Sequence, residues 1–194
     1  MTGGWIERWL DVGEEARKSD AIFVLAGGAA RKAHGLELYR AGYAPRILLS
    51  VGRFEIRRLR ELPLPTPLDL LSAAQAVPPP ERHFFVEFNT SGVRCEQTRV
   101  GPFGTLSEIL ALTEWCQRNR QVESLLVISS GYHLLRVRMC CRAMLPLVRC
   151  VVVAAPQELP MPIGRFATEA VKLVVYRLAL AARSLGAART SGTL

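Results

Sequence analysis

The chain has 194 residues, 49% of them apolar, and a formal net charge of +8. This length suits one domain with a sizeable core, and the apolar content excludes wholesale disorder. The charge, carried mainly by arginine, points to anionic partners; no dense basic run is interleaved with aromatics, so nucleic acid is not expected among them.

Residues 1–19 read as an N-terminal helical extension. Trp5, Ile6, Trp9 and Leu10 form an apolar side able to pack down, and the charges throughout exclude a signal peptide. A single α/β domain is expected over 20–186, followed by a frayed tail at 187–194. Ile22 to Leu25 is an apolar run of strand length. Gly27 and Gly28 follow, where the backbone can turn sharply and present its N–H groups. Ala29 to Arg40 has helical spacing, and Gly42 stops it. Ile47 to Leu49 is a second strand, ending in Ser50-Val51-Gly52. A strand–helix–strand unit of this size makes its two strands parallel, and ligands of such sheets bind beyond the carboxyl ends of the strands.

A charged segment comes next, then a short helix expected to start at Pro67 with Thr66 as its cap. Phe84, Val86 and Phe88 alternate with Phe85 and Glu87 in a third strand. Residues 89–104 read as a polar loop. Thr105-Leu106-Ser107-Glu108 has the capping-box pattern and opens a helix to about Arg118. Leu125 to Ile128 is the fourth strand, and a helix carrying Arg136, Arg138 and Arg142 follows it. Val151 to Ala154 is the fifth strand. The last helix, from Thr168 to about Leu185, is too interrupted by charge to span a membrane. The alternation predicts an α/β fold: a mainly parallel five-stranded sheet with helices on both faces. Cys95, Cys116, Cys140, Cys141 and Cys150 are odd in number and lack CxxC spacing. That pattern predicts neither a disulfide framework nor a zinc site, and fits free thiols in the cytoplasm.

The residues able to do chemistry gather at strand ends. Gly27 and Gly28 lack the full dinucleotide-binding spacing, yet Arg31 stands one turn into the next helix, where it can meet an anion at the helix start. Ser129-Ser130-Gly131-Tyr132-His133 is sharper. It sets two hydroxyls and free N–H groups between a strand and a helix, with Arg136 on the same face as His133. Such a set suits a phosphate or carboxylate, or an acid–base step with anion stabilisation. His133, able to titrate near neutral pH, is the expected acid–base group and Arg136 its catalytic companion. Gly27, Gly28, Arg31, Ser50, Gly52, Thr105, Ser129 and Ser130 are the expected ligand-binding residues. No histidine–carboxylate cluster has metal spacing, so no metal is expected. Glu108 reads as part of the capping box, His34 and His83 as structural, and Glu55 as either a base or a surface charge.

The stretch LAGGAARKAHGLELYRAGYAPRILLSVG resembles the opening of the YdcF-like family, which includes the SanA and ElyC envelope proteins. ISSGYHLLRVRMCCRAML resembles its second signature, and ATEAVKLVVYRL its closing helix; together the likeness spans about 20–180. The resemblance implies a Rossmann-like three-layer α/β/α sandwich with the residues above around one pocket. It also implies a link to cell-envelope metabolism and an adenosyl-type ligand such as S-adenosylmethionine. The chain departs from the pattern at Ser50-Val51-Gly52, where members carry Ser-Gly-Gly, and at Gly104-Thr105-Leu106-Ser107-Glu108, where they carry Asn-Thr-x-Glu-Asn. The membrane anchor of many members also has no counterpart.

Two classes of function fit these residues. One is a hydrolase or group transferase acting on a phosphorylated or nucleotide-like molecule. The other is a module that senses such a ligand, or a partner, without turnover. A soluble cytoplasmic protein, at most peripheral at a membrane surface, is expected in either case; the residues imply no oligomeric state.

Overall fold

A computed structural model describes residues 12–66, 68–101, 104–156 and 163–191, with side chains in the last helix described over 168–183. Strands β1 (Ala21–Val24), β2 (Arg46–Gly52), β3 (His83–Asn89), β4 (Gly92–Gln97), β5 (Ser124–Ser130) and β6 (Arg149–Ala155) form one sheet in the order β4-β3-β2-β1-β5-β6. The block β2-β1-β5-β6 is parallel, while β3 runs antiparallel to β2 and β4 antiparallel to β3. Among the described residues five α-helices accompany the sheet: α1 (Ala29–Arg40), α2 (Leu70–Gln75), α3 (Gly104–Arg118), α4 (Leu134–Met144) and α5 (Ile163–Ser191).

The central strands are apolar along their whole length because both faces are covered. Phe23, Leu48, Val127 and Val152 pack with Ile109 and Leu112 of α3 and Val137 and Cys140 of α4. Ile22, Val24, Ile47, Leu49 and Ile128 point the other way, toward Leu36 of α1 and Leu70 of α2. Helix α1 ends as its glycine predicts. Gly42 adopts φ +75°, and the N–H groups of Gly42 and Tyr43 return to the carbonyls of Tyr39 and Leu38, closing the last turn.

The sheet is mainly parallel as expected, but it has six strands where five were expected, and β3 and β4 add two antiparallel pairs. The added strand, β4, lies inside the segment read as a polar loop. Thr90 and Ser91 make a tight link after β3, Gly92 takes φ +126°, and β4 pairs along Phe84–Asn89. As an edge strand with polar side chains largely exposed, it carries none of the apolar signal of the others. Of the N-terminal extension, residues 1–11 lie outside the described residues. Residues 12–19 are not helical: the Glu14 N–H donates to Val152 O and that of Ser19 to Tyr43 O, so the chain runs across the sheet instead. The second helix begins at Leu70 with Asp69 before it, not at Pro67, which lies outside the described residues. The last helix continues to Ser191, through the first part of the expected tail; residues 192–194 lie outside the described residues.

From β1 the chain leaves through α1 toward β2; it returns through α3, on the opposite face, to β5 on the other side of β1. The loops after β1 and β5 therefore leave toward opposite faces, the arrangement that in parallel sheets makes a crevice at the carboxyl ends of the strands.

Close packing of α1 onto the sheet requires Gly35. A Cβ there would overlap Val24 Cγ2 and lie 3.4 Å from Ile128 Cδ1 and 3.5 Å from Ile47 Cδ1. Alanine favours helix by about 1 kcal/mol over glycine, but overpacking a core costs about 1–3 kcal/mol. Gly35→Ala is therefore expected to lower the thermal midpoint; a rise would show that the sheet yields to the added methyl.

Candidate functional site

Gly27 begins the site. It holds φ +151°, and a Cβ there would come within 2.7 Å of Arg31 Cζ, so only glycine lets the guanidinium fold back over the turn. Arg31 donates through Nη1 to the carbonyls of Leu25 (3.4 Å) and Ala26, and through Nη2 to Ser130 Oγ at 2.8 Å. It thereby joins the loop after β1 to the end of β5. Burial lowers its pKa and Glu108 opposes that shift. Its buried Nε–H finds no acceptor among the described residues, and the buried Ser129 Oγ likewise has no partner there.

Glu108, on α3, is the centre of the arrangement. It accepts the Ala26 N–H at 2.8 Å and the Ser50 hydroxyl proton, so one carboxyl ties α3 to the ends of β1 and β2. His83 Nε2 stands 2.7 Å from Ser50 Oγ and 3.7 Å from Glu108 Oε1. Because Ser50 gives its single proton to Glu108, His83 donates from Nε2. Burial, with Lys32 adding to it, pushes His83 down to about 4, so the ring is neutral at pH 7. Burial raises the Glu108 carboxyl, against the pull of Ser50, the Ala26 N–H and Arg31. Lys32 is itself buried and ion-paired with Glu55, beside Gly52; this settles Glu55 as the partner of a lysine.

A second group closes the other side. Arg136 is buried and donates to Thr105 Oγ1 at 3.2 Å, to Glu169 and, through Nη2, to His133 Nδ1 at 2.8 Å. Its guanidinium also lies 5.3 Å from the Tyr176 ring centroid. Lys172 adds a contact to Glu169 at 3.0 Å. Burial pushes Glu169 up, but His133, Lys172 and Arg136 together outweigh it and hold the carboxyl at about 2.

These contacts rewrite several expected roles. His133 Nδ1 lies 2.8 Å from Arg136 Nη2 and 3.2 Å from Glu169 Oε2, so this nitrogen is engaged inside the cluster. Burial lowers the His133 pKa, with partial compensation from Glu169, which favours the neutral ring. Arg136 is spent on Glu169, Thr105 and His133 and acts as an anchor for α5. The expected capping box does not describe Thr105 and Glu108: their side chains turn to Arg136 and to Ser50 with Ala26. Glu108 and His83, read from the sequence as capping and structural, thus stand in the site. Neither carried a sequence signal: the local capping pattern fully explained Glu108, and β3 brings His83 to Ser50 only through its pairing with β2.

Gly27, Gly28, Arg31, Ser50, Ser130, Thr105, His133 and Arg136 lie on strand ends, loops or first helical turns at this end of the sheet, with Gly52 at the margin beside His83. Arg31, Lys32, Arg136 and Lys172 face Glu55, Glu108 and Glu169, and burial moves Glu108 toward its neutral form. The cluster carries excess positive charge where α1 and the turn into α4 begin, which favours an anion. Among the described residues no group of three or more His, Cys, Asp or Glu could hold a metal ion. No protein-family model, curated protein or solved structure matches the chain.

Glu169 makes the stability of this arrangement depend on acid. Its folded pKa of about 2 lies below its ordinary 4.5, so its contribution is complete above 4.5 and disappears as pH falls toward 2. Glu169→Gln should therefore be less stable than the parent at pH 7 and lose less between pH 4.5 and 2, as read by urea unfolding across that range. Parallel pH profiles would refute the assignment.

Proposed function

We propose that the crevice binds an anionic small molecule, phosphorylated or of nucleotide or adenosyl type, across Gly27–Gly28 and Ser129–His133. The observation that carries this reading is a buried, cation-rich cluster at the point where the connections of a parallel sheet diverge. The unpartnered Arg31 Nε–H and Ser129 hydroxyl add to it, because buried polar groups ordinarily have a partner that a ligand or water would supply. The topology is compatible with a Rossmann-like α/β/α sandwich of the YdcF-like kind, and that resemblance is the ground for an S-adenosylmethionine-type ligand and for a role in cell-envelope metabolism.

A hydrolytic or group-transfer step on this ligand would take its proton from Glu108 and not from His133. Glu108 is a buried carboxyl displaced upward in pKa, hydrogen-bonded through Ser50 to a neutral His83. The alternative, a sensing module without turnover, draws on the internal pairing of Arg136 and His133, which leaves them little to offer a reacting group. We place the protein in the cytoplasm on its free cysteines, which suit a reducing compartment. No helix among the described residues is long and apolar enough to cross a membrane.

Calorimetric titration with inorganic phosphate, adenosine monophosphate and S-adenosylmethionine tests the binding. A charge-assisted contact is worth about 1.5–3 kcal/mol, so Arg31→Ala should weaken a phosphate-bearing ligand by about one to two orders of magnitude. Arg138→Ala, on another face of α4, should change it little. Equal losses at the two arginines would mean diffuse charge attraction, and no binding by any of the three would sink the reading. Turnover of a ligand that binds should vanish in Glu108→Gln while affinity survives; loss of both together would favour the sensing module.

A further inference from the structure

The two edges of the sheet differ. At the β6 edge the Glu14 N–H donates to Val152 O, whereas at the β4 edge no strand among the described residues pairs. The groups that β4 turns outward follow from its ladder. The Thr98 N–H donates to His83 O at 2.8 Å, carrying the β3–β4 register on by one residue. Thr98–His83 is therefore a hydrogen-bonded pair, and so, at every second residue, are Glu96–Phe85, Arg94–Glu87 and Gly92–Asn89. Val93, Cys95 and Gln97 then turn their N–H and C=O groups away from β3. Such an open row is a template for another strand, and neither proline nor lysine blunts it between Gly92 and Thr98. Arg94 and Glu96 are exposed and stand on the α3 face, where Arg118 donates to Glu96 at 2.7 and 2.9 Å.

We infer that β4 pairs antiparallel with β4 of a second copy, about a two-fold axis through Cys95, making one continuous sheet. Charge complementarity selects this occupant and this register. With Cys95 opposite Cys95, Arg94 of each copy faces Glu96 of the other, in non-hydrogen-bonded pairs whose side chains approach closely. The outward groups of Val93 and Gln97 meet each other across the same axis. Centring the axis on Arg94 or on Glu96 would set like charges face to face. Centring it on Val93 or Gln97 would pair neither charge with its opposite. A strand of another protein would have to bring the same alternation, which β4 already supplies to itself. A two-fold axis normal to the sheet keeps both α3 helices on one face. There a groove of about 490 Å³, lined by Glu96, Leu110, Ala111 and Glu114 among others, lies beside the incoming Arg94.

Sedimentation velocity reads this association, and the parent should dimerise as its concentration rises. Arg94→Glu alone and Glu96→Arg alone should each dimerise about tenfold more weakly, because each opposes like charges twice. Mixed in equal amounts, the two variants should form heterodimers, since every 94–96 pair then sets a glutamate against an arginine. Gln97→Pro removes an outward N–H that no strand of the same chain uses. It should weaken the dimer and leave the circular dichroism of the monomer unchanged. Cys95 is the exposed cysteine, and a hydrogen-bonded pair holds its Cα atoms about 5.5 Å apart. A short bismaleimide should therefore join Cys95 to Cys95 in the parent dimer and fail to do so in Cys95→Ser. A parent that stays monomeric at every concentration would overturn the inference and leave the edge to a strand of another protein. So would a dimer indifferent to Arg94→Glu and Gln97→Pro, single variants that do not complement each other, or a dimer that does not cross-link at Cys95.

Discussion

The carboxyl of Glu108 is the contact on which the carboxyl end of this sheet depends. It is buried, and it joins three elements remote in sequence: the backbone of Ala26 after β1, the hydroxyl of Ser50 on β2, and α3 itself. A parallel sheet whose connections part at one point has no backbone pairing to hold those loops together. Side chains must do it. Glu108 does so on the α3 side and Arg31 between β1 and β5, each spanning a gap that the ladder hydrogen bonds leave open. An unpaired partner in either contact would be a buried charge with no compensation, which costs far more than the pair returns.

The fold was legible where local chemistry and tertiary structure agree. The strand β1, the glycine turn, the helix α1 with its Gly42 stop and the strand β2 were readable because each residue serves its own neighbourhood. The edge strand β4 was not, since an edge needs no buried face and Arg94, Glu96 and Gln97 look like loop. At the candidate site, the glycine turn and the serine-bearing strand ends were readable from local pattern, and they lie at one end of the sheet. Glu108 and His83 were missed because their meaning is set by partners more than thirty residues away. Thr-x-x-Glu at a helix start has a complete local explanation, and only the tertiary structure shows that it is the wrong one here.

Arg136 and His133 make the complementary point. Their spacing correctly placed them on one face of α4, near the crevice. What spacing could not reveal was Glu169, arriving from α5 to occupy them both. A cation beside a helix start reads as free until its counter-ion is known, and a histidine reads as titratable until the partners of its ring nitrogens are known. In both cases the sequence indicated position and the structure determined availability.

The attachment of α5 gives the molecule a lever. Glu169 and Tyr176 hold the helix beside Arg136, while its backbone continues to Ser191. Fifteen residues of helix past Tyr176 extend about 22 Å, so a rotation of about 5° at the anchor would carry the far end through about 2 Å. Any event in the crevice that shifts Arg136 against Glu169 is thus magnified at a surface well away from it, with the helix as the rigid arm and the ion pair as the fulcrum.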